Sequence, residues 1–167
     1  FGNRHSPATN CILRTPYLRR PESPTVMQDT ATQAGMNFEL SEEQMAVRDA
    51  ARDFAQNVLK PGVIDRDREQ RFPKEEIKQL GELGFLGMMV DPKYGGGGMD
   101  AISYVLAMEE ISKVDASCSV VMSVNNSLVC WGLEEFGNEE QKQKYLVPLA
   151  KGEKIGAFCL SEPEAGS

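Results

Sequence analysis

Apolar residues recur at helical spacing from Leu40 to Ala150, and at Lys154 that period gives way to a short continuous apolar run. A chain patterned this way buries its helical faces against one another and then hands on to something sheet-like. Ser41 with Gln44 is a capping-box signature, in which the hydroxyl serves an orphan N–H and the amide reaches back. Val47, Ala51, Phe54 and Val58 follow on one face, with Arg48, Asp49, Arg52, Asp53, Gln56 and Asn57 on the other. The helix is expected to stop near Lys60-Pro61-Gly62.

A second helix is expected from Phe72-Pro73, with proline at the first helical position and Ile77 and Leu80 on its buried edge. Glycines between Gly81 and Gly87 break it, and the run Gly95 to Gly98 can only be loop. Asp100 is placed to cap the next helix, AISYVLAMEEISKV. Its first eight residues are apolar or small nearly all round, which predicts burial on most sides. Ser117 to Leu133 carries no charge and reads as a core helix, too short and too polar for a bilayer span, which needs ~20 mainly apolar residues. Asn138 with Gln141 opens one more capped helix. Lys154 to Ser161, KIGAFCLS, lies between Gly152 and Pro163 and reads as a strand. The fold class is therefore mainly α: five or so helices, then the first strand of a β domain.

Charge and composition exclude several functions. A net charge of −7 argues against nonspecific binding to nucleic acid or anionic membrane. Cys11, Cys118, Cys130 and Cys159 are scattered without a CxxC, as expected of reduced, mostly buried thiols in an intracellular protein. The sole histidine, His5, cannot build a His-rich zinc site or a pair of Glu-x-x-His motifs, so no metal is expected. Residues 1–35 hold four prolines and no helical apolar face, which reads as a disordered leader. Arg4, Arg14, Arg19 and Arg20, with no acid before Glu22, suit a transit peptide, whereas the prolines suit a linker or sequence foreign to the fold. The start at Phe1 and the end at Ser167, inside a Gly/Pro-rich turn, read as an incomplete chain.

Four stretches invite a functional reading. The glycine run fits no phosphate-binding signature, because neither a strand–GxGxxG–helix unit nor a following Gly-Lys-Ser/Thr is present. Glu109 and Glu110 point about 100° apart on a helix and suit a salt-bridged face better than acid/base work. Asn125 and Asn126, inside a charge-free helix, call for hydrogen bonds to neighbouring helices, with contact to a ligand as the second reading. In FCLSEPEAGS, Phe158 to Ser167, a hydroxyl at a strand end precedes a proline turn of small residues. Its exposed N–H groups and hydroxyls could bind phosphate or a polar ring edge, or it could be an ordinary turn; spacing leaves both open.

The stretches LSEEQMAVRDAARDFAQNVLKP, LGELGFLGMMVDPKYGGGGMD, AMEEISKVDAS, MSVNNSL and FGNEEQKQKYLVPLAKGEKIGAFCLSEPEAGS stand in one order without a gap from Phe38 to Ser167. Together they resemble acyl-CoA dehydrogenases, most closely the short-chain, butyryl-CoA-like branch. The resemblance implies a helical N-terminal domain over 36–152 and the start of a middle β domain over 153–167, with a C-terminal helical bundle to follow. It implies FAD held between the last two domains and across subunits, in a homotetramer of the intact enzyme. It implies an acyl-CoA substrate that loses its α-proton to a glutamate and its β-hydrogen as hydride to flavin N5. Hydrogen bonds to the thioester carbonyl stabilise the enolate. Electrons then pass to an electron-transferring flavoprotein, in the cytoplasm of a bacterium or the mitochondrial matrix of a eukaryote.

Carried over by position, Phe158 to Ser167 is the family's first flavin-contacting stretch. Phe158, Cys159, Leu160 and Ser161 belong to it, with Leu160 and Ser161 at the pyrimidine edge. Gly166 and Ser167 lie near the pyrophosphate, and Ser167 also near substrate. The family often has glycine where this chain has Glu164. The MSVNNSL helix lines the closed end of the acyl pocket, and Val121, Val124 and Leu128, at i, i+3 and i+7, are the expected floor. The catalytic glutamate belongs to the C-terminal domain, so no catalytic residue is expected here, and the chain alone is expected to be inactive and to bind FAD weakly. An acyl-CoA oxidase of the same fold and a non-catalytic helical interaction module are the alternatives.

Overall fold

Ser41 accepts the Gln44 N–H at 3.1 Å and Gln44 Oε1 accepts the Ser41 N–H at 3.0 Å, closing the expected capping box on α1 (Glu42–Phe54). The structure, a computed structural model, describes residues 38–166, so the leader expected at 1–35 lies outside the described residues. Val47, Ala51 and Phe54 are buried, and Val58 packs against the same core.

The first helix does not stop at Lys60-Pro61-Gly62. It widens to a π turn over Ala55–Leu59, tightens to a 3-10 turn over Lys60–Gly62, and continues as α2 (Val63–Glu69). Pro61 follows directly on the π turn, and that change of winding lets the run continue past a residue with no N–H. The stop comes at Gln70, in the left-handed region at φ 53°. Helix α3 (Lys74–Glu82) begins one residue past Pro73, which occupies its cap, and buries Ile77 and Leu80 as expected.

The glycine loop is a packed connection. Gly97, Gly98 and Met99 donate backbone N–H groups to Gly87, Val90 and Met88, laying the loop back over that turn. A Cβ on Gly96 would stand 2.2 Å from the Val90 carbonyl oxygen, so only glycine fits there.

Asp100 caps α4 (Ala101–Ser112) by accepting the Ser103 N–H at 2.7 Å. Gln44 reaches Asp100 at 2.8 Å and Arg52 reaches Glu110 through Nε and Nη2, both at 3.1 Å, so α1 and α4 run parallel. Hydrogen bonds from Arg52, and after them Lys113, hold the Glu110 carboxyl below its usual range against the opposing effect of burial. Glu109 pairs with Lys113 at 3.2 Å, completing the salt-bridged face. Burial of α4 on most sides is not observed: Ile102 and Val105 are 53% and 59% exposed. An apolar helix face is buried only where an element stands against it, and none of the described residues covers this one.

Helix α5 (Ala116–Ser123) continues through a π segment, Val124–Cys130, into α6 (Trp131–Phe136). The resulting 21-residue helix, with mean hydropathy 1.2 over its most apolar window, is long and apolar enough to cross a bilayer, so the expected length argument fails. What marks it as interior to a protein domain is its buried face, where Ser119, Asn125 and Asn126 lie among core apolar residues. A last helical run begins at Asn138, whose capping box with Gln141 forms, and passes through α7 (Glu139–Gln141) and Lys142–Leu146 to α8 (Val147–Ala150).

Two apolar clusters result. One joins α1, α3, the Phe85–Met88 turn, α4 and α5. The other joins Val90 and Tyr94 to Cys130, Leu146 and Leu149. The fold is mainly helical, as its pattern predicts. The strand expected at Lys154 to Ser161 does not form: the segment is irregular, and among the described residues the only bridge is Glu162 with Ala165. A strand requires a partner strand, and no other described segment offers an extended edge.

Candidate functional site

The helix Ala116–Phe136 and the segment that follows Ala150 meet where Asn125 and Val129 stand against Gly156. Asp115 starts the helix by accepting the Cys118 N–H at 3.1 Å. Burial alone would raise the Asp115 carboxyl, but the hydrogen bond from Arg66 and those from Cys118 outweigh it and hold the group below its ordinary value. Arg66 Nη2 lies 2.8 Å from Asp115 Oδ2 and 2.8 Å from the Leu59 carbonyl, and Nη1 lies 2.8 Å from Glu76 Oε1. This buried ion pair was not legible in the sequence, where Arg66 sits in a run of charges that looks solvated.

Asn125 and Asn126 are 0% and 2% exposed, and both take the structural role. Asn125 Nδ2 donates to the carbonyls of Leu86 at 2.7 Å and Leu149 at 3.2 Å, and its Oδ1 accepts the Gly156 N–H at 2.8 Å. Asn126 Nδ2 donates to Phe85 at 2.8 Å and Met122 at 2.9 Å, and its Oδ1 accepts the Met88 N–H at 2.9 Å. With both donors and the acceptor of each amide engaged, the second reading, contact with a ligand, has no free polar atom to rest on.

Cys118 and Cys130 are buried, and burial pushes both thiols up to about 12. Neither supplies a thiolate nucleophile at neutral pH. Cys159 is exposed. Among the described residues no three potential metal-ligating side chains converge.

Val121 and Val124 are half-buried, Val121 against the core cluster that holds Met122, and Leu128 is exposed. They line neither of the two main grooves. The larger, about 640 Å³, lies between residues 63–73 and the start of α5, and the smaller, about 270 Å³, between α1 and the Leu83–Met88 turn.

Phe158, Cys159, Leu160, Ser161 and Gly166 are all exposed, Phe158 and Leu160 by 54% and 64%, and Ser167 lies outside the described residues. The segment is anchored by Lys154 N–H on the Pro148 carbonyl at 3.1 Å and by Gly156 on Asn125. Beyond Gly156 the backbone runs without helix or ladder to a tight turn. There Glu162 and Ala165 exchange both backbone hydrogen bonds, at 2.9 and 3.2 Å, around Pro163 and Glu164. Residues 158–161 thus lie exposed on a stretch without helix or ladder, where polar backbone groups are available to a ligand edge.

The profile of the family described as acyl-CoA dehydrogenase, N-terminal domain, matches residues 41–153. The short-chain specific acyl-CoA dehydrogenase of Clostridium acetobutylicum is 49% identical over 132 residues, 79% of this chain and 35% of that protein. Among solved structures, butyryl-CoA dehydrogenase from Megasphaera elsdenii superposes with a TM-score of 0.73 at 42% identity, covering 78% of this chain and 35% of that one. A chain in a structure described as the electron transferring flavoprotein of Acidaminococcus fermentans superposes with a TM-score of 0.75 at 46% identity, covering 78% and 34%. The chain spans about a third of the length of the relatives it matches.

Proposed function

The chain belongs to the acyl-CoA dehydrogenase family, and from that membership we propose that it supplies the N-terminal part of a flavoenzyme oxidising short-chain acyl-CoA thioesters to trans-2-enoyl-CoA. In this reading residues 36–152 are the helical domain and 153–167 begin the β domain. The observation that carries it is the segment from Phe158 to Gly166, which is free of helix, exposed and anchored at its base. Its form suits contact with a flavin. Leu160 and Ser161 meet the pyrimidine edge, flanked by Phe158 and Cys159, while Gly166 and Ser167 approach the pyrophosphate and Ser167 the substrate.

FAD, when bound, accepts the substrate's β-hydrogen as hydride. These residues contribute by binding and orienting: an exposed backbone offers N–H and C=O groups to a ring edge, and Gly166 permits close approach. No base is assigned among the 167 residues, and the chain alone is inactive and binds FAD weakly. The intact enzyme is a homotetramer that passes electrons to an electron-transferring flavoprotein, in bacterial cytoplasm or the mitochondrial matrix.

The purified full-length protein should show a flavin absorbance band that bleaches on anaerobic addition of butyryl-CoA and returns only slowly with oxygen. Fast stopped-flow reoxidation by oxygen would make it an oxidase, and a protein without the band would be an interaction module. Val121, Val124 and Leu128 form the floor of the acyl pocket. Full-length Val124→Gly should raise the hexanoyl-to-butyryl ratio of kcat/KM by about tenfold, the range that a methylene or two commands in a pocket. An unchanged chain-length profile removes these residues from the floor.

A further inference from the structure

Two observations place Gly156 under the control of the helix Ala116–Phe136. Its N–H donates to Asn125 Oδ1 at 2.8 Å. Its bare Cα lies against Val129, where an added Cβ would stand 2.7 Å from Cγ1, 2.8 Å from Cβ and 2.9 Å from Cγ2. The hydrogen bond fixes the direction of the segment and the steric contact fixes its height above the helix. Asn125 itself cannot drift, because its Nδ2 is held by the Leu86 and Leu149 carbonyls, from two other stretches of the fold. Asn125 follows Val124 directly, and Val129 follows Leu128. The same two turns of helix therefore carry the proposed acyl-pocket side chains and the seat of the segment two residues before Phe158.

We propose that Asn125 is a positioning residue, which with Val129 seats Gly156 and so sets where Phe158–Ser161 meets the flavin relative to the acyl pocket. The proposal rests on the functional reading above. It makes the helix a common reference for substrate and cofactor: a shift of the segment alone would move the ring edge while leaving the pocket floor in place. Misplacement of reacting groups by ~1 Å costs about 10²-fold in rate.

Asn125→Ala would also take from the buried Leu86 carbonyl its N–H donor, so Gly156→Ala is the cleaner probe, with Val129→Ala to relieve two of its three contacts. Both are made in the full-length holoenzyme. Amide hydrogen exchange, the FAD dissociation constant, and kcat and KM with butyryl-CoA are measured on each. Gly156→Ala should speed exchange at 156–161 by about tenfold or more while core amides such as that of Met122 keep their protection. FAD should bind about tenfold more weakly. At saturating FAD, kcat should fall by about 10²-fold with KM within about twofold of wild type, since the pocket floor is untouched. Adding Val129→Ala should recover part of each effect. A Gly156→Ala enzyme with wild-type exchange, or one whose exchange rises while FAD affinity and kcat stay unchanged, overturns the positioning role. Wild-type full-length protein that holds no FAD overturns the functional reading itself, which is a different result from a wild type that holds FAD and a variant that holds it equally well.

Discussion

Arg66→Met should lower the stability of the chain by about 3–5 kcal/mol, read as an earlier midpoint in urea unfolding and a fall in Tm. Arg66 is 5% exposed and makes the charged contact to Asp115, which is equally buried. Methionine would leave that carboxylate in the interior with only the hydrogen bonds from Cys118 and deprive the Leu59 carbonyl of the Arg66 donor. Arg66 Nε and Glu76 Oε2 are themselves buried without partners, so the network is incomplete. Its net worth is accordingly smaller than the cost of breaking it. Arg66→Met combined with Asp115→Asn should therefore recover most of the loss, because asparagine removes the charge and still caps the helix. A double variant as unstable as the single one would contradict this account.

The pair also fixes a pH dependence. The folded Asp115 carboxyl lies below its ordinary value. The stability this contributes is complete above the unfolded value of about 3.9 and is lost as pH falls through the lower folded value. Wild-type stability should accordingly decline in that acid window, and the decline should be shallower in the double variant, which has no carboxyl to protonate there.

Asn126→Leu should cost about 3 kcal/mol or more, although leucine is close to asparagine in size. Three backbone groups lose their partner at once: the Phe85 and Met122 carbonyls and the Met88 N–H. Phe85 and Met88 belong to the glycine-broken turn after α3, where no regular helix supplies substitutes. Hydrogen exchange should therefore show Met88 and the Gly97–Met99 stretch opening before α1 and α4, because the loop hangs its own N–H groups on that turn. Uniform loss of protection across all helices would show that Asn126 serves the whole core and not the turn.

These two residues divide what the sequence makes legible. Asn126 and Asn125 declare themselves, since amides in a charge-free apolar helix must find partners, although nothing local says that one partner is Gly156. Arg66 does not, because burial of a charge depends on Asp115, 49 residues away in sequence. The capping boxes at Ser41 and Asn138 and the Asp100 cap were readable because each is settled within four residues. Pro61 was misread as a stop because the widened turn before it, which absorbs the proline, leaves no sequence signature. The exposed faces of Ile102 and Val105 and the unpaired stretch from Lys154 fail for the same reason as each other. Periodicity names the face or segment that seeks a partner, and it does not supply one. The flavin-contacting role of Phe158 to Ser167 was readable only through resemblance, since spacing alone describes a turn.

The proposed role of this chain turns on whether the stretch after Gly156 reaches a flavin. A structure of the full-length protein purified with its bound cofactor tests this most directly. Backbone or side-chain atoms of Leu160 and Ser161 should lie within hydrogen-bonding distance of the pyrimidine edge of the ring, with Gly156 still seated on Asn125. A ring found elsewhere, or residues 158–161 coiled into helix and turned away from it, would contradict the reading.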